Sequence, residues 1–309
     1  MSRVSELLGV EHPVIQGAMG VICNPELVAA VSEAGGYGLL ATAFATDAQV
    51  VRDQVRSTKE LTNKPFGANV LAMNPKALEF AAVMAEEGIG AVTVSGGSPH
   101  QLIPFLRERG VKVLVLAANT DYACQAEALG ADAIVAEGSE SGGMQGFGIP
   151  STMVLVPAVV DKVKVPVIAA GGIADSRGYR AALALGAEGV QVGTRFIATK
   201  ECIAHDNYKN LVVEASDLGT VLITLGRFQV RVLRTALTKR IESGRTEAMS
   251  VFGGPAMEDS WVKGHVDQGI LPAGQISGLV QDILSVEEVI REMVTLKDSG
   301  TGLTDPWKK

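Results

Sequence analysis

Cysteine, long apolar runs and clustered positive charge are all scarce in this 309-residue chain, and each scarcity excludes a class of protein. The three cysteines, Cys23, Cys124 and Cys202, are odd in number and far apart, which argues against a disulfide framework and against a zinc site. We therefore predict no metal site and a reducing, cytoplasmic environment. No uncharged stretch reaches the roughly 18 apolar residues of a membrane span, and residues Met1–Val10 lack the apolar core of a signal peptide.

The charge balance is acidic, with 34 Asp and Glu residues against 27 Lys and Arg residues and a formal net charge of −7. Binding of a nucleic-acid backbone requires a basic face, and the sequence contains no Lys/Arg cluster that would form one. We therefore expect neither a nucleic-acid nor a membrane partner. Hydrophobic residues make up 47% of the chain, which is enough for a large core.

Eight short apolar runs alternate with amphipathic helical patterns over the first two-thirds of the chain. Apolar residues occupy successive positions in most of the runs, as in strands that helices cover on both faces. The runs are His12–Gln16, Gly38–Ala41, Phe66–Val70, Ala91–Val94, Lys112–Leu116, Ala133–Glu137, Val165–Ala170 and Gly189–Gly193. Eight strand–helix units within about 200 residues predict an α/β fold, the (β/α)8 TIM barrel.

An open, doubly wound sheet is the alternative fold. That fold usually carries a G-x-G-x-x-G segment after its first strand. Here the first strand is followed by Gln16-Gly17-Ala18-Met19-Gly20, which lacks the third glycine at the required spacing. The barrel therefore agrees better with the sequence.

The strand–helix pattern ends after the eighth run. Residues 201–267 have a mostly helical composition and predict an inserted helical subdomain or lid. Residues 1–200 and 268–309 are then the barrel domain, which a helix over Val286–Lys297 would close. We expect the tail Gly300–Lys309 to be poorly ordered.

Small residues follow the last two predicted barrel strands. Barrels often bind phosphate in these loops, where backbone N–H groups can approach the phosphate oxygens. Gly171-Gly172 follows the seventh strand and Gly193-Thr194 follows the eighth, with the Thr194 hydroxyl as a further donor. A single glycine pair could serve only a tight turn, but two pairs on adjacent strand ends predict a phosphate site.

Asn69 and Glu137 are polar side chains at the ends of two apolar strands. Burial of either side chain without a hydrogen-bond partner would be unfavourable. Two interpretations stay open for each residue. It could make a structural hydrogen bond to a neighbouring loop, or it could bind a polar ligand at the barrel mouth.

Several of these segments together resemble the nitronate monooxygenase (2-nitropropane dioxygenase) family, and within it the FMN-dependent enoyl-acyl-carrier-protein reductase II branch. They are Gln16-Gly17-Ala18-Met19, Pro65–Asn69, Ala136–Gly138, Gly142-Gly143, Pro166–Ile173 and Gln191–Phe196, followed by Ala204–Lys209 and Ala273–Gly278. The resemblance covers nearly the whole chain, in order. It implies a barrel that binds FMN and takes electrons from NADH or NADPH.

The resemblance also assigns roles to individual residues. Ala18 and Met19 would border the flavin ring, Asn69 and Glu137 would bind its polar edge or ribityl chain, and the glycine pairs with Thr194 would bind its phosphate. The full set of implied cofactor-binding residues is Ala18, Met19, Asn69, Glu137, Gly142, Gly143, Ala170, Gly171, Gly172, Gly193, Thr194 and Gln275.

Two positions depart from the family pattern. The family usually carries a histidine after the two glycines that follow strand six, and this histidine is taken as the catalytic acid/base; here the position is Met144. Leu116 stands where typical nitronate monooxygenases carry a lysine. Methionine cannot transfer a proton. We therefore assign no catalytic residue, although Tyr208 and the polar side chains near position 144 (Glu140, Ser141 and Gln145) are candidates.

The favoured function is an FMN-dependent oxidoreductase that reduces an enoyl thioester or a similar activated acceptor. A nitronate monooxygenase is the second hypothesis, which Leu116 and Met144 disfavour. The third is a flavin-binding protein that has lost catalysis and acts as a binding or assembly subunit. An inosine-monophosphate-dehydrogenase-like barrel is disfavoured because residues 138–151 contain no cysteine nucleophile. A homodimer would be common for such barrels.

Overall fold

The computed structural model describes residues 2–295, and eight parallel strands surrounded by helices form its centre. The barrel strands are β1 (Val14–Gln16), β2 (Leu39–Ala41), β3 (Gly67–Leu71), β4 (Ala91–Ser95), β5 (Lys112–Ala117), β6 (Ala133–Glu137), β8 (Val167–Ala170) and β9 (Gly189–Val192). Their hydrogen-bonded order is β1-β9-β8-β6-β5-β4-β3-β2. The predicted barrel is confirmed, and each strand lies within or overlaps one of the eight apolar runs.

Tyr37 joins the two ends of the sheet. Its amide donates to the Val14 carbonyl at 2.9 Å, and its carbonyl accepts from the Gln16 amide at 2.9 Å. Only Gly38 separates Tyr37 from β2, so these two bonds connect β1 to the start of β2 and bring the sheet around into a nearly closed barrel.

Helices follow the strands around the outside of the barrel. They are α2 (Pro25–Glu33), α3 (Ala48–Leu61), α4 (Ala77–Glu86), α5 (Leu102–Arg107), α6 (Thr120–Leu129), α7 (Thr152–Val160), α8 (Ser176–Ala184) and α9 (Thr194–Ile197). The last described helix, α13 (Val286–Val294), packs against α2 and α8 and completes the ring. The predicted helix to Lys297 is too long, because Thr295 already has an extended backbone (φ −75°, ψ 127°) and ends α13. Residues 296–297 of that prediction and the tail Gly300–Lys309 lie outside the described residues.

Two apolar layers hold the barrel. The larger layer lies between the strands and the outer helices. The smaller layer fills the barrel interior, where Val4 and Leu8 of helix α1 (Arg3–Leu8) pack with Ile15 and Leu39. Because α1 precedes β1, it covers the end of the barrel where the strands begin and leaves the carboxyl ends of the strands for the site.

The inserted segment contains a β-hairpin that the sequence analysis did not predict. Helices α10 (Asp206–Val213), α11 (Ala236–Glu242) and α12 (Gly254–Met257) agree with the helical composition of residues 201–267. Residues 220–233, however, form antiparallel strands β10 (Thr220–Leu225) and β11 (Phe228–Leu233). The sequence does carry the signal, because Phe228, Val230 and Val232 alternate with the polar Gln229 and Arg231 at the period of a strand.

The hairpin pairs with a short strand from the barrel itself. Strand β7 (Gly143–Gln145) lies in the loop after β6 and runs antiparallel to β11, with Met144 opposite Val230. This three-stranded sheet, with order β10-β11-β7, therefore joins the insert to the loop that carries Met144, the position of the histidine implied by the family resemblance.

Within residues 2–295, no helix combines the length and the apolar character needed to cross a membrane.

Candidate functional site

A cavity of about 1090 Å³ lies at the carboxyl ends of the barrel strands. Loops after the strands form its walls, and residues of the hairpin turn and of β7 line it as well. The structure brings together eleven of the twelve cofactor-binding residues implied by the family resemblance, namely Ala18, Met19, Asn69, Glu137, Gly142, Gly143, Ala170, Gly171, Gly172, Gly193 and Thr194.

Gln275 is the exception. Its side chain is exposed and is not part of the cavity lining, although the neighbouring Gly274 and Ile276 are. The Gln275 amide donates to the Glu140 carbonyl at 2.9 Å. The backbone of this segment therefore supports the loop after β6, and the prediction that Gln275 lies close to a cofactor stays a prediction.

Asn69 is held by the neighbouring strand β4. Its amide nitrogen donates to the Thr93 hydroxyl at 3.0 Å and to the Ser95 hydroxyl at 3.1 Å. The Asn69 side chain thus makes structural hydrogen bonds, as the first interpretation of the sequence required. It also lines the cavity, as the second interpretation, binding of a polar ligand, required. These bonds fix the direction of its amide toward the cavity, so it can orient a polar ligand with little loss of side-chain entropy.

Glu137 ends β6 and lines the same cavity. Burial raises the pKa of its carboxyl from 4.5 to about 7, and a hydrogen bond with Ser141 opposes this shift. Near neutral pH the carboxyl is therefore divided between its protonated and charged forms. A group in this state can donate or accept a proton at the cavity wall.

The raised pKa makes the stability of the ligand-free protein depend on pH through Glu137. Because the folded-state pKa exceeds the unfolded-state value, the protonated carboxyl favours the folded protein at low pH, and this contribution is lost as pH rises through about 7. Glu137→Gln mimics the protonated form. We expect the variant to match the wild type near pH 4.5 and to be more stable above pH 7, by at most about 3 kcal/mol.

Urea unfolding between pH 4.5 and 8 measures this difference. Glu79→Gln, at an exposed position of α4, is the matched control for loss of a carboxylate at the protein surface. A constant difference between Glu137→Gln and the wild type across this range would contradict the assigned pKa.

The loops after β8 and β9 contribute glycine backbone to the cavity wall. Gly171 and Gly172 have φ of 88° and 74°, a conformation that glycine adopts without strain. A Cβ on Gly142 would lie 2.5 Å from the Gly274 nitrogen, so this position also requires glycine. The Thr194 hydroxyl accepts from the Gly274 amide at 2.9 Å, which joins the two loops.

The loop after β1 contributes a second wall through Ala18 and Met19. The Met19 amide donates to the Cys23 thiol at 2.8 Å, and the Gln16 side chain donates to the same sulfur at 3.2 Å. Burial raises the pKa of Cys23 to about 12, so the thiol stays protonated. Cys23 therefore shapes this loop and does not act as a nucleophile.

Gln191 is a cavity residue that was not predicted from the sequence. It belongs to β9, lines the cavity, and is 9% exposed. Its Oε1 atom is buried and has no hydrogen-bond partner. An unpaired buried oxygen is unfavourable unless a ligand supplies the missing bond. The signal available in the sequence was a glutamine within an otherwise apolar strand.

Position 144 faces the cavity from β7, so the departure from the family affects the site directly. Leu116 also lines the cavity. None of the four histidines, His12, His100, His205 and His265, belongs to the described lining of this cavity. At both positions an apolar side chain therefore stands where the family pattern has a residue that could transfer a proton.

The other candidate proton donors are engaged elsewhere. The Glu140 carboxylate accepts from the Thr152 amide at 2.9 Å at the start of α7. The Tyr208 hydroxyl donates to the Pro272 carbonyl at 2.5 Å, and burial raises its pKa well above the usual value. Ser141 and Gln145 hydrogen-bond each other at 3.0 Å.

Comparisons with known proteins show the family to which the chain belongs. Residues 1–295 match the family model described as nitronate monooxygenase. A (3aS,4S,5R,7aS)-5-hydroxy-7a-methyl-1-oxo-octahydro-1H-indene-4-carboxyl-CoA dehydrogenase of Mycobacterium tuberculosis is 33% identical, over 94% of this chain and 94% of its own length. A probable nitronate monooxygenase of Staphylococcus saprophyticus is 32% identical, over 72% of this chain and 75% of its own length.

One solved structure, FabK from Thermotoga maritima, is 39% identical with a TM-score of 0.89, and the match covers 95% of this chain and 94% of that chain. The relatives are oxidoreductases. The barrel, the cavity at its carboxyl end and these matches together show that the chain is an oxidoreductase of the nitronate monooxygenase family.

Proposed function

We propose that the chain binds FMN in the barrel cavity and, with NADH or NADPH as electron donor, reduces an activated double bond such as that of an enoyl thioester. One observation carries the proposal: the glycine backbone after β8 and β9 lines the same cavity as Asn69 and Glu137. This combination offers amide N–H groups for a phosphate at one side and polar side chains for a ring system at the other.

The residues of the cavity fit FMN. Gly171, Gly172 and Gly193 line the cavity without side chains, so phosphate oxygens could approach their backbone closely. The buried Oε1 of Gln191 lacks a partner that a flavin N–H or hydroxyl could supply. Bound FMN would supply the hydride chemistry. The chain's own residues would hold and orient the ligands and exclude water.

The substrate class follows from the apolar lining and from the relatives. Met73, Met144, Leu116, Phe228 and Trp261 are among the cavity residues, so the space suits an apolar acyl or ring group. The mycobacterial relative is named for a CoA-linked substrate, and FabK is an enoyl-acyl-carrier-protein reductase II. Both names support a thioester as substrate.

Nitronate oxidation is the second candidate, because several curated relatives carry that name. Leu116 and Met144 weigh against it, since neither can assist removal of a proton.

We propose the cytoplasm as the compartment in which the protein acts. The three cysteines of the chain are free thiols, which is typical of a reducing compartment.

An anaerobic titration of the purified protein with NADH and NADPH, followed by flavin absorbance, tests the proposal. We expect a yellow protein whose flavin absorbance is lost on addition of one or both nucleotides. A protein that cannot take up FMN would contradict the flavin assignment. A yellow protein indifferent to both nucleotides would instead favour direct substrate oxidation or a binding subunit without catalysis.

A further inference from the structure

A single arginine lies at the turn of the hairpin, where the cavity meets solvent. Leu225 pairs with Phe228, so Gly226 and Arg227 form a two-residue connection between β10 and β11. Gly226 has φ of 58°, which a tight turn of this kind requires. Arg227 is exposed and also lines the cavity, which places it at the opening.

Arg227 has no acidic partner. Within residues 2–295 its side chain makes no ion pair or hydrogen bond, and its guanidinium carbon lies 5.2 Å from the centre of the Phe228 ring. The other charged residues among the described cavity lining are Glu137 and Glu140. Arg227 is therefore the one cation of the described lining, in a chain whose formal net charge is −7.

The position of this cation restricts the ligands that the cavity suits. The interior is mostly apolar, whereas the opening carries an unpaired guanidinium. A ligand with an apolar, reactive end and an anionic group at some distance from it would satisfy both regions. Arginine favours phosphate among anions, because its planar donors can bind two phosphate oxygens at once.

We propose that Arg227 is an anion-binding residue at the cavity opening and that it binds a phosphate group of the ligand whose reactive end enters the cavity. The inference rests on the proposed function and extends it to recognition of the substrate or donor. Two ligand sources share this chemistry, namely the phosphates of a pantetheine-linked coenzyme and those of a nicotinamide nucleotide. Arg227 binds and orients; it takes no part in hydride or proton transfer.

Binding measurements on the flavin-loaded protein test the inference without relying on turnover. The variants are Arg227→Gln and Arg227→Lys, and the ligands are coenzyme A, pantetheine and the oxidised nucleotides NAD⁺ and NADP⁺, which carry the same phosphates as the electron donors but cannot reduce the flavin. Each ligand is titrated by calorimetry at low and high salt. The matched control is Arg109→Gln. Arg109 also stacks on an aromatic ring, 3.7 Å from the centre of Phe105, and it does not line the cavity.

We expect Arg227→Gln to weaken binding of at least one phosphate-bearing ligand about tenfold. Pantetheine, which has no phosphate, should bind all proteins equally. Arg227→Lys should recover part of the loss, and high salt should reduce the difference between variant and wild type. A loss confined to coenzyme A assigns the phosphate to the thioester substrate, and a loss confined to the nucleotides assigns it to the electron donor.

Three results would overturn the inference. The first is a dissociation constant within about twofold of the wild type for every phosphate-bearing ligand, and the second is an equal loss for pantetheine, which would indicate packing. The third is absence of binding by the wild type to all four ligands. Calorimetry measures binding without reduction of the flavin. The role of Arg227 can therefore be supported or contradicted even in a protein whose flavin is not reduced by NADH or NADPH.

Discussion

Replacement of Gly193 by alanine is expected to weaken FMN binding at least tenfold, about 1.4 kcal/mol, while the fold stays intact. Gly193 has φ of −108° and ψ of −72°, which alanine can adopt. An added Cβ would meet nothing nearer than the Met19 sulfur at 3.7 Å, an ordinary contact. Both residues line the cavity, so the methyl group would occupy space that a phosphate needs to approach the backbone.

Fluorescence titration of the deflavinated protein with FMN measures this effect, and thermal unfolding checks the fold. Gly90→Ala is the matched control. Gly90 lies just before β4 at the opposite end of the barrel, and a Cβ there would meet nothing within 4 Å. We expect this control to bind FMN as the wild type does. If Gly193→Ala also binds FMN normally, the phosphate does not lie against Gly193.

Replacement of Met144 by histidine is expected to increase turnover of an enoyl thioester about tenfold or more. General acid–base catalysis by a positioned side chain contributes roughly 100- to 10,000-fold, and a histidine placed without optimised partners should recover only part of that. Pairing of β7 with β11 fixes the backbone at this position. The new imidazole would therefore face the cavity that Met144 now lines.

Met144→Gln separates proton transfer from polarity, because glutamine is polar and of similar size but transfers no proton at neutral pH. We expect its turnover to stay near the wild-type value. A histidine effect should also add a titration near pH 6.5 to the dependence of kcat on pH. Equal gains in both variants would show that polarity, and not proton transfer, limits the reaction.

The barrel was predictable because its signals are local. Each strand, such as Ala133–Glu137, is a short apolar run, and several helices end at a glycine that the structure shows at positive φ, such as Gly130 and Gly186. The place of the glycine pairs at the cavity was predictable for a related reason. In a barrel, position along the chain fixes which loops share the carboxyl end of the strands.

The remaining parts of the site depend on contacts between distant segments. Pairing of Gly143–Gln145 with Phe228–Leu233 cannot be read from either segment alone, since three residues carry no recognisable strand pattern. The unpaired oxygen of Gln191 and the unpaired guanidinium of Arg227 depend equally on what surrounds them. The sequence identifies such residues by type, but only packing shows which of them lack partners.

The sheet that joins β7 to the hairpin has a consequence for synthesis of the chain on the ribosome. Strand β7 emerges between β6 and β8, yet its partner β11 emerges only after all eight barrel strands. The barrel wall can therefore assemble first, with the loop around position 144 still without its partner strand. A nascent chain stalled before Phe228 should already protect the barrel strands from protease while leaving the loop around Met144 open to cleavage.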